Sequence, residues 1–282
     1  MKELALRQGT IRYRDEGSGE PIVFVHGLLT DGQLWRDVAP LLAGDARVIV
    51  PDWPLGSQEL PLGAGADLSP PGLADLIADF IEALDLGAVT LVGNDTGGAL
   101  CQLVVTRRPE RVARLVLTPC DAFEHFPPPA FRPLKALAYV PGAVAVMARA
   151  MRPARARRSP LAYGWLSKRA EDTLTADWVR SVQSSPQIRR QVADILKGFS
   201  PRYTLAAAQR FGEFTGPVLV AWAAKDRFFK VANAERLARA FPDGRLELIE
   251  DSYSFVSLDQ PQRTAELIAE LVRRPLPAAV PG

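Results

Sequence analysis

Hydrophobic and polar positions divide the chain into three stretches. Up to residue 120, short apolar runs rich in β-branched residues alternate with longer segments of helical periodicity. Residues 10–15 (TIRYRD) alternate strictly and predict an antiparallel edge strand. Ile22–Val25, Val48–Val50, Val89–Val92 and Leu115–Leu117 predict buried strands, with helices over 33–43, 71–85 and 97–108 between them. That order predicts an α/β fold with a parallel sheet covered on both faces. Residues 121–213 break the rhythm: they hold helical segments, many Arg and Pro, and no convincing strand. The α/β pattern then returns, with strands over 217–222 and 246–249 and helices over 231–241 and 261–273. One α/β core is expected, residues 1–122 and 214–276, interrupted by a helical cap over 123–213 and followed by a loose tail, 277–282. Insertions of this kind often cover active sites.

Composition narrows the function classes. The 282 residues carry 34 Lys+Arg against 32 Asp+Glu, a net charge of +2 that gives no general attraction to nucleic acid. No apolar run reaches transmembrane length and the charged start predicts no signal peptide, so a cytoplasmic protein without membrane association is expected. Two cysteines, Cys101 and Cys120, cannot build a disulfide framework or a Cys-rich zinc site. No metal-ligand cluster, Walker motif or dinucleotide fingerprint is present, so no cofactor is expected. The expected partner is a small-molecule substrate, and the expected state a monomer or homodimer. The chain has only two histidines, His26 and His125, so any mechanism that uses imidazole must use one of them.

The sharpest local signal is VTLVGNDTGGALCQL, residues 89–103. An apolar strand runs into Gly93-Asn94-Asp95-Thr96-Gly97-Gly98 and a helix follows at once. This is the strand–turn–helix form of the nucleophile elbow, G-x-S-x-G, with Asp95 where serine is usual. Such a turn holds its central side chain out at the carboxyl end of the sheet, beside a helix N-terminus that favours a carboxylate.

Four further segments accompany the elbow: His26-Gly27 after the Ile22–Val25 strand, Asp52–Ser57 (DWPLGS), Pro217–Asp226 (PVLVAWAAKD) and Asp251–Pro261 (DSYSFVSLDQP). Together they resemble the α/β-hydrolase fold superfamily over nearly the whole chain. Asp95 at the elbow resembles the branch of haloalkane dehalogenases and epoxide hydrolases. The resemblance implies a mostly parallel, doubly wound sheet with a helical cap inserted after the sixth strand. It also implies a carboxylate that attacks carbon, an alkyl-enzyme ester, and a His–acid pair that activates water to hydrolyse it. On that pattern Asp95 is the nucleophile, the backbone N–H groups of Leu28 and Thr96 form the oxyanion or leaving-group site, and Asp226 is the triad acid.

The chain departs from the pattern at the base. Ser254 stands where the family has its histidine, while Phe255, Val256, Asp259 and Pro261 match around it. Serine has no basicity near neutral pH and cannot activate water alone. His125, in the loop that follows Leu115–Leu117 and opens the cap, is a candidate base. Asp121 in the same loop resembles the alternative acid position of some dehalogenases. The residue after the elbow Asp is Thr96 rather than the dehalogenases' Trp, Leu28 replaces their second halide donor, and HGLL lacks the Pro of epoxide hydrolases. Tyr139, Tyr163 and Tyr203 of the cap are candidate proton donors. The arginines of Arg149–Arg158 read as a solvated cap face or as an attraction to anions. Three readings stay open: hydrolysis of a carbon–halogen, epoxide or ester-like bond, a non-hydrolytic reaction with Asp95 as general acid/base, or a silent ligand-binding member.

Overall fold

The computed structural model describes residues 1–276. The residues 277–282, expected as a loose tail, lie outside the described part. Eight strands form one sheet: β1 (Lys2–Leu6), β2 (Gly9–Glu16), β3 (Pro21–Val25), β4 (Arg47–Asp52), β5 (Val89–Asp95), β6 (Val112–Cys120), β7 (Val218–Ala223) and β8 (Gly244–Ile249). Their spatial order is β1-β2-β4-β3-β5-β6-β7-β8. β2 runs antiparallel to β1 and β4, and every other pair is parallel, in the register Val23–Leu91–Leu115–Val218 across the centre. β3 and β7 are apolar end to end because helices cover both faces.

The chain moves from β3 outward to β4, then crosses back to lay β5 on the other side of β3. Right-handed crossovers therefore put the helices Pro70–Ala83 and Thr96–Arg107 together on one face. The helices Ala39–Leu42 and Pro261–Val272 pair on the other. The reversal between β3 and β5 opens a crevice at their carboxyl ends, the place where open α/β sheets bind ligands. Between β6 and β7 the described chain forms helices and turns only, among them Arg132–Leu137, Ala143–Ala150, Asp172–Ser184, Pro186–Gly198 and Pro201–Ala208.

Two local readings change. Lys2–Leu6 is also a strand: it pairs with β2 at the sheet edge, with Leu4 and Leu6 packed against the core and Lys2, Glu3 and Ala5 exposed, too short an alternation to announce itself. The helix expected over 33–43 is a 3₁₀ turn, Gly32–Trp35, and a separate short helix, Ala39–Leu42. Pro40 lacks an amide donor and starts a new helix instead of continuing one. Arg274, near the end of the expected core, is anchored: its guanidinium pairs with Asp243 and its carbonyl accepts from Arg114.

Candidate active site

Asp95 sits at the junction of β5 and the helix Thr96–Arg107 with φ 54° and ψ −130°, a backbone conformation that side chains other than glycine rarely adopt. Neighbouring packing imposes this turn. A Cβ at Gly97 would collide with the carbonyls of Val25 and His26, so the helix can start this close to β3 only with glycine there. Gly27 is constrained from the other side, because a Cβ there would run into the Asp95 carboxylate. From Val89 to Thr106 every residue is buried except Asp95, which is half-buried. The turn thus raises one carboxylate out of the packed interior and into a cavity.

That cavity, of about 150 Å³, lies under the cap. A space of this size suits a ligand on the scale of one aromatic ring. Its walls are apolar, with Phe131, Leu134, Met147, Met151, Leu161 and Phe199 from the cap segment. The polar side chains on its surface are Asp95, Thr96, Asp121 and Tyr163, and no Lys, Arg or His among the described residues lines it. Burial pushes Asp95 up to about 7, hydrogen bonds from the N–H groups of Thr96 and Leu28 pull it down, and the charge of Asp226 pushes it up again. The Leu28 and Thr96 amides lie close enough to this carboxylate to lower its pKa.

Asp121 shares the cavity. It follows β6, its N–H lies 3.4 Å from the Asp95 carbonyl, and its own carbonyl accepts from Gln102 Nε2 at 2.8 Å. Its Oδ1 is buried with no hydrogen-bond partner. Burial first, then the Asp95 charge, raises its pKa well above the usual carboxylate range. Two carboxyls in one apolar pocket cannot both ionise cheaply, and the proton is favoured on the more deeply buried Asp121.

Behind Asp95 lies the segment that carries Ser254. Asn94 Nδ2 donates to the Ser254 carbonyl at 2.9 Å, tying this segment to the elbow across the fold. Asp259 holds the same segment to the cap, accepting from Tyr253 N at 2.8 Å, Ser167 Oγ at 2.7 Å and Lys168 N at 2.9 Å. Asp226 Oδ1 accepts from the N–H groups of Phe228 and Phe229 at 2.7 and 2.6 Å. Its Oδ2 and the Ser254 hydroxyl are both buried and unpartnered. Burial pushes Asp226 up to about 6, although Ser254 is near enough to draw it down slightly. An imidazole at position 254 would supply the donor that Asp226 Oδ2 lacks.

Neither histidine stands in for it. His26 is buried, with Nδ1 2.9 Å from the Gly27 carbonyl and Nε2 accepting from Trp53 N–H at 2.8 Å. Those partners fix the neutral tautomer, and burial holds the ring down at about 4. His125, the candidate base, points away: its Nδ1 lies 3.1 Å from Asn233 Nδ2 and the residue does not line the cavity. Sharing a loop with Asp121 does not bring its ring to the same side. Of the three tyrosines, Tyr139 is exposed, Tyr203 lies outside the cavity against Arg202, and Tyr163 lines the wall but donates its hydroxyl to the Leu29 carbonyl at 2.6 Å. Arg157 turns inward to bind Thr175 Oγ1 and the Met151 carbonyl, and the other arginines of Arg149–Arg158 stay on the outer surface. Asn94 is a site residue that the sequence reading does not single out, although a polar residue inside a buried strand run is the available signal. No group of three or more His, Cys, Asp or Glu is placed to hold a metal among the described residues.

The model of the α/β-hydrolase fold family matches residues 20–261. The chain belongs to the α/β-hydrolase fold family. Haloalkane dehalogenase 2 of Mycobacterium tuberculosis is 29% identical over 274 residues, covering 93% of this chain and 91% of that protein. An α/β-hydrolase fold protein from Burkholderia ambifaria superposes with a TM-score of 0.79 at 21% identity, over 95% of this chain and 97% of its own. The epoxide hydrolase CorEH superposes at 0.77 and 18% identity, over 96% and 97%. The sequence likeness to a dehalogenase supports a hydrolase-type enzyme, and the two superposed structures, at 21% and 18% identity, show the fold.

Proposed function

We propose that this chain is an α/β-hydrolase-fold enzyme in which Asp95 attacks an electrophilic carbon of a small apolar molecule. The observation that carries the reading is the exposure of one carboxylate, out of an otherwise buried strand–helix run, to an apolar cavity. A carboxylate needs no base to become a nucleophile, since a fraction is ionised at neutral pH even when its pKa is near 7. Attack forms a carbon–oxygen bond and expels a halide, an epoxide oxygen or another leaving group. The neutral Asp121 favours an oxygen leaving group, because it holds a proton beside Asp95 that an alkoxide would accept. A halide has weaker support, as neither Thr96 nor Leu28 offers a side-chain N–H and the Tyr163 hydroxyl is engaged elsewhere. Epoxide opening therefore ranks above dehalogenation. The resulting alkyl ester needs an activated water, and with Ser254 in place of a base that step is slow.

The carboxyl pair favours a second reading. A neutral Asp121 and an Asp95 that titrates near 7 form an acid and a base on one cavity, which suits an isomerisation or cyclisation. Single-turnover reactions with terminal epoxides and primary bromoalkanes in ¹⁸O-water separate the two. Hydrolysis places label in the product or on Asp95, and isomerisation places it in neither. Asp95→Asn abolishes product formation under both readings, and retained turnover in that variant overturns both.

A further inference from the structure

We infer that the outer face of the cap is a docking surface for a bilayer bearing anionic headgroups. Among the described residues, large apolar side chains that stand exposed concentrate in one stretch: Leu137, Tyr139, Val140, Val146, Leu161 and Trp165, at 42 to 72% exposure. The same stretch is acid-free. Residues 125–170 hold nine Lys and Arg and no Asp or Glu, so a chain with a surplus of only two positive charges is net acidic by seven elsewhere. The whole-chain value hides this asymmetry, and the expectation of no membrane association, drawn from the lack of a spanning segment, does not address surface binding.

The cations sit among the apolar groups. Val146 and Arg149 are exposed on the helix Ala143–Ala150 one turn apart, which places them side by side on its outer face. Arg132, Arg149, Arg152 and Arg155 form no ion pair among the described residues, whereas Arg158 pairs with Asp172, and Lys168 and Arg169 pair with Asp251. Beside them a groove of about 300 Å³ runs between Tyr139, Val140 and Val144 on one wall and Arg189, Arg190 and Lys197 on the other. Apolar side chains flanked by unpaired arginines are the composition that binds anionic lipid interfaces, with each cation adding attraction and long Arg stems reaching the headgroups. A soluble acidic partner would meet the charges but leave the exposed Val146 and Leu161 unburied.

Docking there would place one wall of the cavity, Leu161, against the bilayer. Leu161, the most exposed of these apolar residues, also lines the Asp95 cavity, so the cavity wall and the apolar patch are continuous. Delivery of an apolar substrate that partitions into lipid rests on the function proposed above. The docking itself does not.

The test is sedimentation of the full chain with vesicles, which requires no turnover. Vesicles of phosphatidylcholine with phosphatidylglycerol should bind at least about tenfold more tightly than phosphatidylcholine alone, and raised salt should weaken that binding. Arg149→Glu with Arg152→Glu, and separately Val146→Asp, should each cut vesicle binding about tenfold while the thermal midpoint is kept. Equal binding to both vesicles, binding indifferent to salt, or no binding at all overturns the inference. So does light scattering that shows a dimer in the wild type and a monomer in Val146→Asp, since a second copy would then cover the patch.

Discussion

Replacing Ser254 with histidine should turn a slow second step into a fast one. The side chain at 254 is fully buried and tied by its backbone to the elbow through Asn94. The neighbouring Asp226 Oδ2 has no hydrogen-bond partner. An imidazole there would donate to that oxygen and present its other nitrogen as a base. Larger side chains in packed sites typically cost about 1–3 kcal/mol. A charge-assisted hydrogen bond to a buried carboxylate returns about 1.5–3 kcal/mol, so the fold should survive. General-base catalysis contributes roughly 10²–10⁴-fold, or about 3–5 kcal/mol at ~1.36 kcal/mol per decade. The assay is a stopped-flow time course with a terminal epoxide. The wild type should show a burst of one equivalent followed by a slow phase, and Ser254→His should accelerate the slow phase about a hundredfold or more while leaving the burst rate within a few-fold. A folded Ser254→His protein whose slow phase does not change would refute the reasoning, because water activation would then not be what the wild type lacks.

Three further outcomes follow from the same geometry. Asp95 attacks only when ionised and its pKa is raised to about 7, so the burst rate should rise with pH through about 7 and level off above it. A flat profile from about pH 5 to 9 would contradict this. Asp121→Asn removes the retained proton, so it should slow epoxide opening by about 10²-fold but bromoalkane attack by much less, because bromide needs no proton. Equal losses on both would remove Asp121 from the chemistry. Asp259→Ala orphans the buried partners of its carboxylate, Ser167 Oγ and the Lys168 and Tyr253 amides, and should cost about 3 kcal/mol. The thermal midpoint should then fall by roughly 6–10 °C, and a change under about 2 °C would deny Asp259 its part in joining cap to core.

Much of this architecture could be read from residue order, for identifiable reasons. Strands buried on both faces, such as β3 and β7, must be apolar throughout, and the Gly-flanked turn at Asp95 is demanded by close packing that only glycine permits. β1 escaped because a five-residue edge strand offers only two inward positions, Leu4 and Leu6, too few to form a legible pattern. The cavity wall escaped for a different reason. Leu134, Met147, Met151 and Leu161 sit on short helices and a loop whose mutual packing, rather than any local periodicity, decides which side chains face Asp95. The same holds for His125, which shares a loop with Asp121 yet faces Asn233 while Asp121 faces the cavity. The Arg-rich stretch likewise takes its meaning only from its setting, since Val146 stands exposed one turn from Arg149 on the same helix.

Peptide mapping of the intact enzyme after reaction with a terminal epoxide or a primary bromoalkane is the most direct measurement of whether Asp95 attacks carbon. The wild type should carry one hydroxyalkyl or alkyl ester on the peptide that contains Asp95, persistent in the wild type and short-lived in Ser254→His. Product released without any modified Asp95 in either protein, or an ester found on Asp121 or Asp226 instead, would contradict nucleophilic attack by the elbow carboxylate.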